Sequence, residues 1–113
     1  MENKTYYSVI PAEVKYNKNI SSTSKLIFGE ISSLSNEKGY CCATNKHLAD
    51  LYGLSVSSIN KVIKELEDNN LIRRELIYGE NKEVIERRIT VIWYTKRNPY
   101  VQKPYVQKPY IGK

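Results

Sequence analysis

The sequence predicts an α+β fold in which three helices come first and a β-hairpin closes the domain. Three observations carry that expectation. Apolar residues recur at helical spacing in SSTSKLIFGEISSLSN, in NKHLADLY and in SVSSINKVIKELED. The last two of these segments are separated by little more than a glycine and a leucine. The chain then changes character to the β-branched runs LIRRELIY and VIERRITVIW on either side of GENK, the pattern of two strands and a loop. With 113 residues, 41% of them hydrophobic, there is material for one core and not for two.

Each element has a local reason. Thr5 to Ile10 is aromatic and β-branched and is stopped by Pro11, so a short N-terminal strand or extended arm is expected. Ser22 is suited to cap the first helix, about Thr23 to Ser35, whose stripe of Ile27, Ile31 and Leu34 is widened by Leu26 and Phe28. Asn36 and Gly39 punctuate the chain, and GYCCA reads as a brief strand. Thr44 caps a second helix, Asn45 to Tyr52, with Leu48, Ala49 and Tyr52 inward and Gly53 as its stop. Ser55 caps the third, running to about Asn69, where Ile59, Val62, Ile63 and Leu66 stand at i, i+3, i+4 and i+7. In the hairpin, facing Arg73 with Arg88, Arg74 with Arg87 and Glu75 with Glu86 would stack like charges. A one-residue shift, with Glu75 opposite Arg87, is expected instead, and most of these arginines are read as cross-strand partners of Glu75, Glu80, Glu83 and Glu86.

NKHLADLYGLSVSSINKVIK is a helix, a sharp turn and a helix. Ala49 is small where the helices cross, Gly53 can take the left-handed conformation, and Ile59 and Val62 fill the wedge between them. Followed by a hairpin, this is a winged helix-turn-helix: three helices, a C-terminal β-hairpin wing and a short N-terminal strand. In that arrangement the second helix of the pair enters the major groove of double-stranded DNA. Its outward residues Ser57, Ser58, Asn60, Lys61 and Lys64 are therefore the expected base readers, with Asn60 suited to adenine and Lys61 to guanine or phosphate. Glu65, Glu67 and Asp68 would be repelled by phosphate, which favours insertion by the N-terminal half. Phosphate contacts are expected from Thr44, Asn45 and Lys46 at the preceding helix N-terminus and from Asn81 and Lys82 at the wing tip. The competing reading makes the same lysines an ordinary solvated face and the module a protein binder.

Other chemistries find no support. The single histidine, His47, has no serine or cysteine partner in a triad arrangement, and no phosphate-binding glycine loop occurs, so an enzyme and a cofactor are not expected. Adjacent Cys41 and Cys42 point to opposite faces of a strand and with His47 leave a metal without a fourth ligand, so they are read as ordinary thiols. No apolar run approaches the length of a membrane span and no secretion signal opens the chain, so a cytoplasmic protein without membrane contact is expected. The net charge of +6 is uneven: Thr95 to Lys113 holds five basic residues and no acidic one.

The run from Tyr6 to Trp93, and most of all YYSVIPAEVKY, SKLIFGEISSLSNEKGYC and IKELEDNNLIRRE, resembles the N-terminal winged-helix domain of replication initiator proteins, or replisome organisers, of phages and plasmids of Gram-positive bacteria. The resemblance implies binding to repeated origin sequences, the third helix reading and the hairpin serving as wing. It also implies a C-terminal part that recruits the host replication machinery, for which these 113 residues hold no counterpart. Residues 1–94 are thus expected to be the DNA-binding domain and 95–113 an extended tail. There PYVQKPYVQKPYIGK repeats a five-residue unit whose prolines deny it a helix. A linker is the first reading of the tail; a basic arm touching phosphates through Lys96, Arg97, Lys103 and Lys108 is the second, and a tyrosine-bearing partner motif the third. A transcriptional repressor on the same fold is the alternative to an initiator. A homodimer through the N-terminal strand or first helix is left open.

Overall fold

A computed structural model describes residues 8–92, which form α1 (Ala12–Lys15), α2 (Ser22–Leu34), α3 (Asn45–Tyr52), α4 (Val56–Asp68), β1 (Ile72–Tyr78) and β2 (Val84–Val91). Four helices therefore precede the two-stranded antiparallel hairpin, where three were expected. The addition is the single turn α1: Pro11 stands at its N-cap, and the Pro11 carbonyl accepts from the amides of Val14 and Lys15 at 3.0 and 2.8 Å. That turn delivers Val14 into the core.

The N-terminal strand is corrected by the same region. Residues 8–10 are not in a strand, and Thr5 to Tyr7 lie outside the described residues. The reason is Gly29, on α2, where an added Cβ would stand 3.1 Å from Ile10 Cγ1 and 3.2 Å from Ser8 Cβ. Ser8 and Ile10 thus lie against the backbone of α2 at Gly29.

The three expected helices are α2, α3 and α4, and each begins with an oxygen that caps it. Ser21, one residue before the expected cap, accepts from the Ser24 amide; Thr44 accepts from that of His47 and Ser55 from that of Ser58. On α2 the core takes Ile27, Phe28 and Ile31, whereas Leu26, expected in the stripe, is 54% exposed. Gly53 closes α3 at φ 66°, the left-handed region, and the amides of Gly53 and Leu54 both point to the Ala49 carbonyl. Two residues after Gly53 stands Ser55, the cap of α4. On that helix Ile59, Val62, Ile63 and Leu66 are all buried, as are Leu48 and Ala49 of α3.

Asn70, at φ 61°, turns the chain out of α4 into the hairpin. The observed register sets Ile72 against Val91, Arg74 against Ile89 and Glu75 against Arg88. The like-charge register is avoided as expected, but the shift is by two residues and Glu75 does not face Arg87. Face parity is the cause. Ile72, Ile89 and Val91 are all buried, and only an even shift keeps them on one face of the ribbon. A bulge between Ile77 and Tyr78 then restores the turn. The expected GYCCA strand contracts to a single bridge, Cys41 with Ile89, made by two hydrogen bonds of 2.8 and 2.9 Å. Cys41 is buried and Cys42 half-buried, both free thiols, and burial raises the Cys41 pKa. No helix among the described residues is long and apolar enough to cross a membrane.

One carboxylate joins two helices. Glu65 of α4 accepts from the Ser21 amide at 3.1 Å and from the Ser24 hydroxyl, at the N-terminus of α2. These donors, the Ser24 hydroxyl foremost, hold its carboxyl below the usual glutamate range. Near its ordinary pKa of about 4.3 the folded chain therefore binds fewer protons than the unfolded chain. The contribution is complete above that value and is lost as the pH falls through the lower folded-state value. Glu65→Gln is expected to cost about 1 kcal/mol at neutral pH in urea unfolding. The gap from the parent should narrow through the acid range, and a gap independent of pH would rule the carboxylate out as the partner.

Candidate nucleic-acid interface

Burial of one side of α4 dictates what the other side presents. Opposite Ile59, Val62, Ile63 and Leu66, helical spacing places Ser57, Lys61, Lys64 and Asp68 in a strip, with Asn60 on one flank and Ser58 on the other. Ser57, Asn60, Lys61 and Lys64 are exposed. Ser58 is half-buried, and its hydroxyl accepts from that of Ser55 at 2.9 Å, so it also belongs to the cap. Lys61 has no carboxylate at ion-pair distance among the described residues. Lys64 meets Asp68 at 3.5 Å across an exposed turn, a pair that water and salt weaken and a phosphate can exchange.

The carboxylates at the C-terminal end of α4 are engaged. Beyond Glu65 on α2 and Asp68 on Lys64, Glu67 lies 3.2 Å from Nε of Arg74 on β1. The flank of Asn60 and Glu67 is thereby the wing side of α4, and the flank of Ser58 and Glu65 is the α2 side.

The expected phosphate contacts fall at two places. At the start of α3, the Thr44 oxygen accepts from the His47 amide at 3.0 Å, leaving its hydroxyl proton to donate. Asn45, half-buried, accepts at Oδ1 from Arg87 Nη1 at 2.7 Å, so its amide nitrogen is the side-chain atom that remains able to donate. Lys46 pairs with Asp50 at 3.2 Å on an exposed helix face. At the wing, Lys82 occupies the left-handed region at φ 67° and its amide closes the turn on the Gly79 carbonyl at 3.0 Å. The Asn81 amide donates to Glu83 Oε1 at 3.0 Å. The Glu83 carboxylate is folded over Gly79, and Glu83, like Glu80 and Lys82, is exposed. The tail residues Lys96, Arg97, Lys103 and Lys108 lie outside the described residues.

Cross-strand pairing does not organise the arginines. Arg74 reaches α4, Arg88 pairs with Glu86 two residues away on its own strand and stacks over the Tyr40 ring at 4.6 Å, and Arg87 leaves the hairpin altogether. Besides Asn45 it donates to the Ala43 carbonyl at 2.8 Å. Its guanidinium is partly buried, and that burial lowers its pKa. Sequence reasoning missed this role of Arg87 in holding the start of α3, because its partners lie 42 and 44 residues away and no local pattern marks them. Among the described residues no group of three or more His, Cys, Asp or Glu gathers to hold a metal ion, and His47 is exposed on α3.

Two helices joined by a left-handed glycine turn, a capped outward helix and a hairpin braced against it define a helix-turn-helix unit with the architecture of a winged helix. Residues 18–72, just under half of the chain, match the family model described as a helix-turn-helix domain, in agreement with the motif seen in the structure. The match ends at the first residue of β1, and the wing lies beyond it. Comparison with curated proteins and with solved structures gives no match.

Arg87→Ala would leave the Ala43 carbonyl and the Asn45 amide oxygen without their donor. The expected cost is about 2 kcal/mol in urea or thermal unfolding. Arg73→Ala, exposed and with no side-chain partner among the described residues, is expected to change stability by less than about 0.5 kcal/mol.

Proposed function

We propose that the chain binds a specific sequence of double-stranded DNA, with α4 in the major groove, and that the sequence is a replication origin recognised by a phage or plasmid initiator. The observation that carries the DNA reading is the exposed strip Ser57, Asn60, Lys61 and Lys64 on the outward face of the second helix of the motif. Ser58 borders it. A major groove about 12 Å wide admits that helix, and amide and ammonium groups are the donors its base edges accept. Thr44, Asn45 and Lys46 contact phosphates on one side, and Asn81 and Lys82 on the wing side. The initiator assignment rests on the resemblance of residues 6–93 to that family; a repressor would use the same face on a promoter. Residues 1–94 then form the DNA-binding domain. Residues 95–113 follow as a linker, whose Lys96, Arg97, Lys103 and Lys108 add contacts without sequence preference.

A second reading has one observation in its favour. Leu76, Tyr78, Val84 and Ile85 in the distal half of the wing are all exposed, an apolar surface that suits a protein partner such as a host replication factor better than phosphate.

Selection from random duplex DNA at two salt concentrations separates the readings. The expected outcome is one enriched sequence, with Asn60→Ala and Lys61→Ala each weakening binding to it by about 1–3 kcal/mol. Its location inside an origin or over a promoter distinguishes initiator from repressor. Retention without a shared sequence, lost at higher salt and on deleting residues 95–113, would leave only the tail holding DNA and would favour the wing as the functional surface.

A further inference from the structure

Val56 is the first residue of α4 and is 49% exposed. Neither of the usual reasons for an apolar residue at such a place applies. The cap is made by Ser55, and the core face of the helix is made by Ile59, Val62, Ile63 and Leu66. One helical turn further on stands Asn60, also exposed, on the same wing-side flank of the helix. Residues at i and i+4 carry their Cβ atoms about 5–6 Å apart, while neighbouring base pairs are separated by about 3.4 Å. Side chains at these two positions therefore fall on base pairs one or two steps apart.

We infer that Val56 and Asn60 together read an A·T-containing step, Val56 packing on the 5-methyl group of a thymine and Asn60 hydrogen-bonding the adenine one or two base pairs away. The inference rests on the reading of α4 as the helix in the major groove and adds what that helix recognises. The chemistry is specific on both sides. Thymine alone among the four bases carries a methyl group on its major-groove edge, and a β-branched hydrocarbon is the complement of a methyl group. The amide of asparagine matches the adjacent donor and acceptor of adenine N6 and N7. The other exposed residues of this part of the helix, Ser57 and Lys61, end in a hydroxyl and an ammonium, so Val56 is its one wholly apolar exposed side chain.

The test uses the full chain and the duplex enriched from the random pool, with each thymine replaced in turn by uracil, which lacks only the methyl group. At one position the parent is expected to bind the uracil duplex about fourfold more weakly, the factor that corresponds to one methyl-sized group removed from water. That position should lie within two base pairs of the adenine whose discrimination is lost in Asn60→Ala. Val56→Ala should bind the thymine duplex more weakly and no longer distinguish thymine from uracil there. Its unfolding midpoint should stay at that of the parent, because Val56 is outside the core. A parent that binds uracil and thymine duplexes equally at every position, or a Val56→Ala variant that keeps the full discrimination, overturns this inference and leaves the reading helix standing. A pool that yields no enriched sequence overturns both.

Discussion

The apolar stripe of α4 is the shared wall of the molecule. Ile59, Val62, Ile63 and Leu66 must be taken out of water, each burial contributing on the order of 1.5–3 kcal/mol, and no single neighbour covers all of them. α2, α3 and β1 all pack on this helix. For α3 to approach closely enough, the crossing has to be made by a small side chain and the connection by a backbone that turns in the left-handed region, which are Ala49 and Gly53. Once the stripe is covered, the rotation of α4 about its own axis is no longer free. Its polar strip faces outward as a consequence of packing, before any DNA is considered.

Packing fixes the rotation of α4, and polar contacts fix what stands on either side of it. Glu65 holds α2, Glu67 holds β1 through Arg74, and Tyr52 at the end of α3 donates to Glu30 of α2 at 2.9 Å. Arg87 ties β2 to the loop before α3 and to its first residue. The wing is therefore joined to both helices of the motif, and the outward polar strip of α4 and the start of α3 belong to one frame. Three of these contacts use carboxylates, two of them from the C-terminal half of α4. That half, which by sequence alone looks like negative charge facing DNA, is spent on neighbouring elements.

Local pattern made most of the fold visible in the sequence. Caps, glycine and apolar period locate α3 and α4 to within a residue, since each depends on side chains a few positions apart. What escaped depends on distant residues. The N-terminal strand was read from β-branched composition, but Gly29 offers Ile10 a helix surface in place of a sheet edge. The hairpin register was read from charge, which excludes one alignment and leaves its neighbours open. The buried set Ile72, Ile89 and Val91 decides between them, because only an even shift keeps all three on one face. Leu26 satisfies helical spacing yet stays exposed, because the width of a stripe is set by the elements laid against it. In the interface the outward residues of α4 follow from amphipathicity alone, whereas the hold of Arg87 on Asn45 has no sequence signature.

Charge separates two tasks that DNA binding combines. Over residues 8–92 there are 12 basic and 11 acidic side chains, a difference of +1, while 95–113 carries +5. Several of the lysines and arginines in the first span already have carboxylate partners, among them Lys46, Lys64, Arg74 and Arg88. A surface so nearly neutral gains little from the counterion release that drives indiscriminate phosphate binding. Whatever preference for one sequence this surface has must come from directed contacts, in which an amide, a hydroxyl or a methyl group is matched to a base edge at fixed spacing. A helix held in rotation by four buried aliphatic side chains and braced on both flanks is suited to that task, because the positions of its outward groups are decided before the partner arrives.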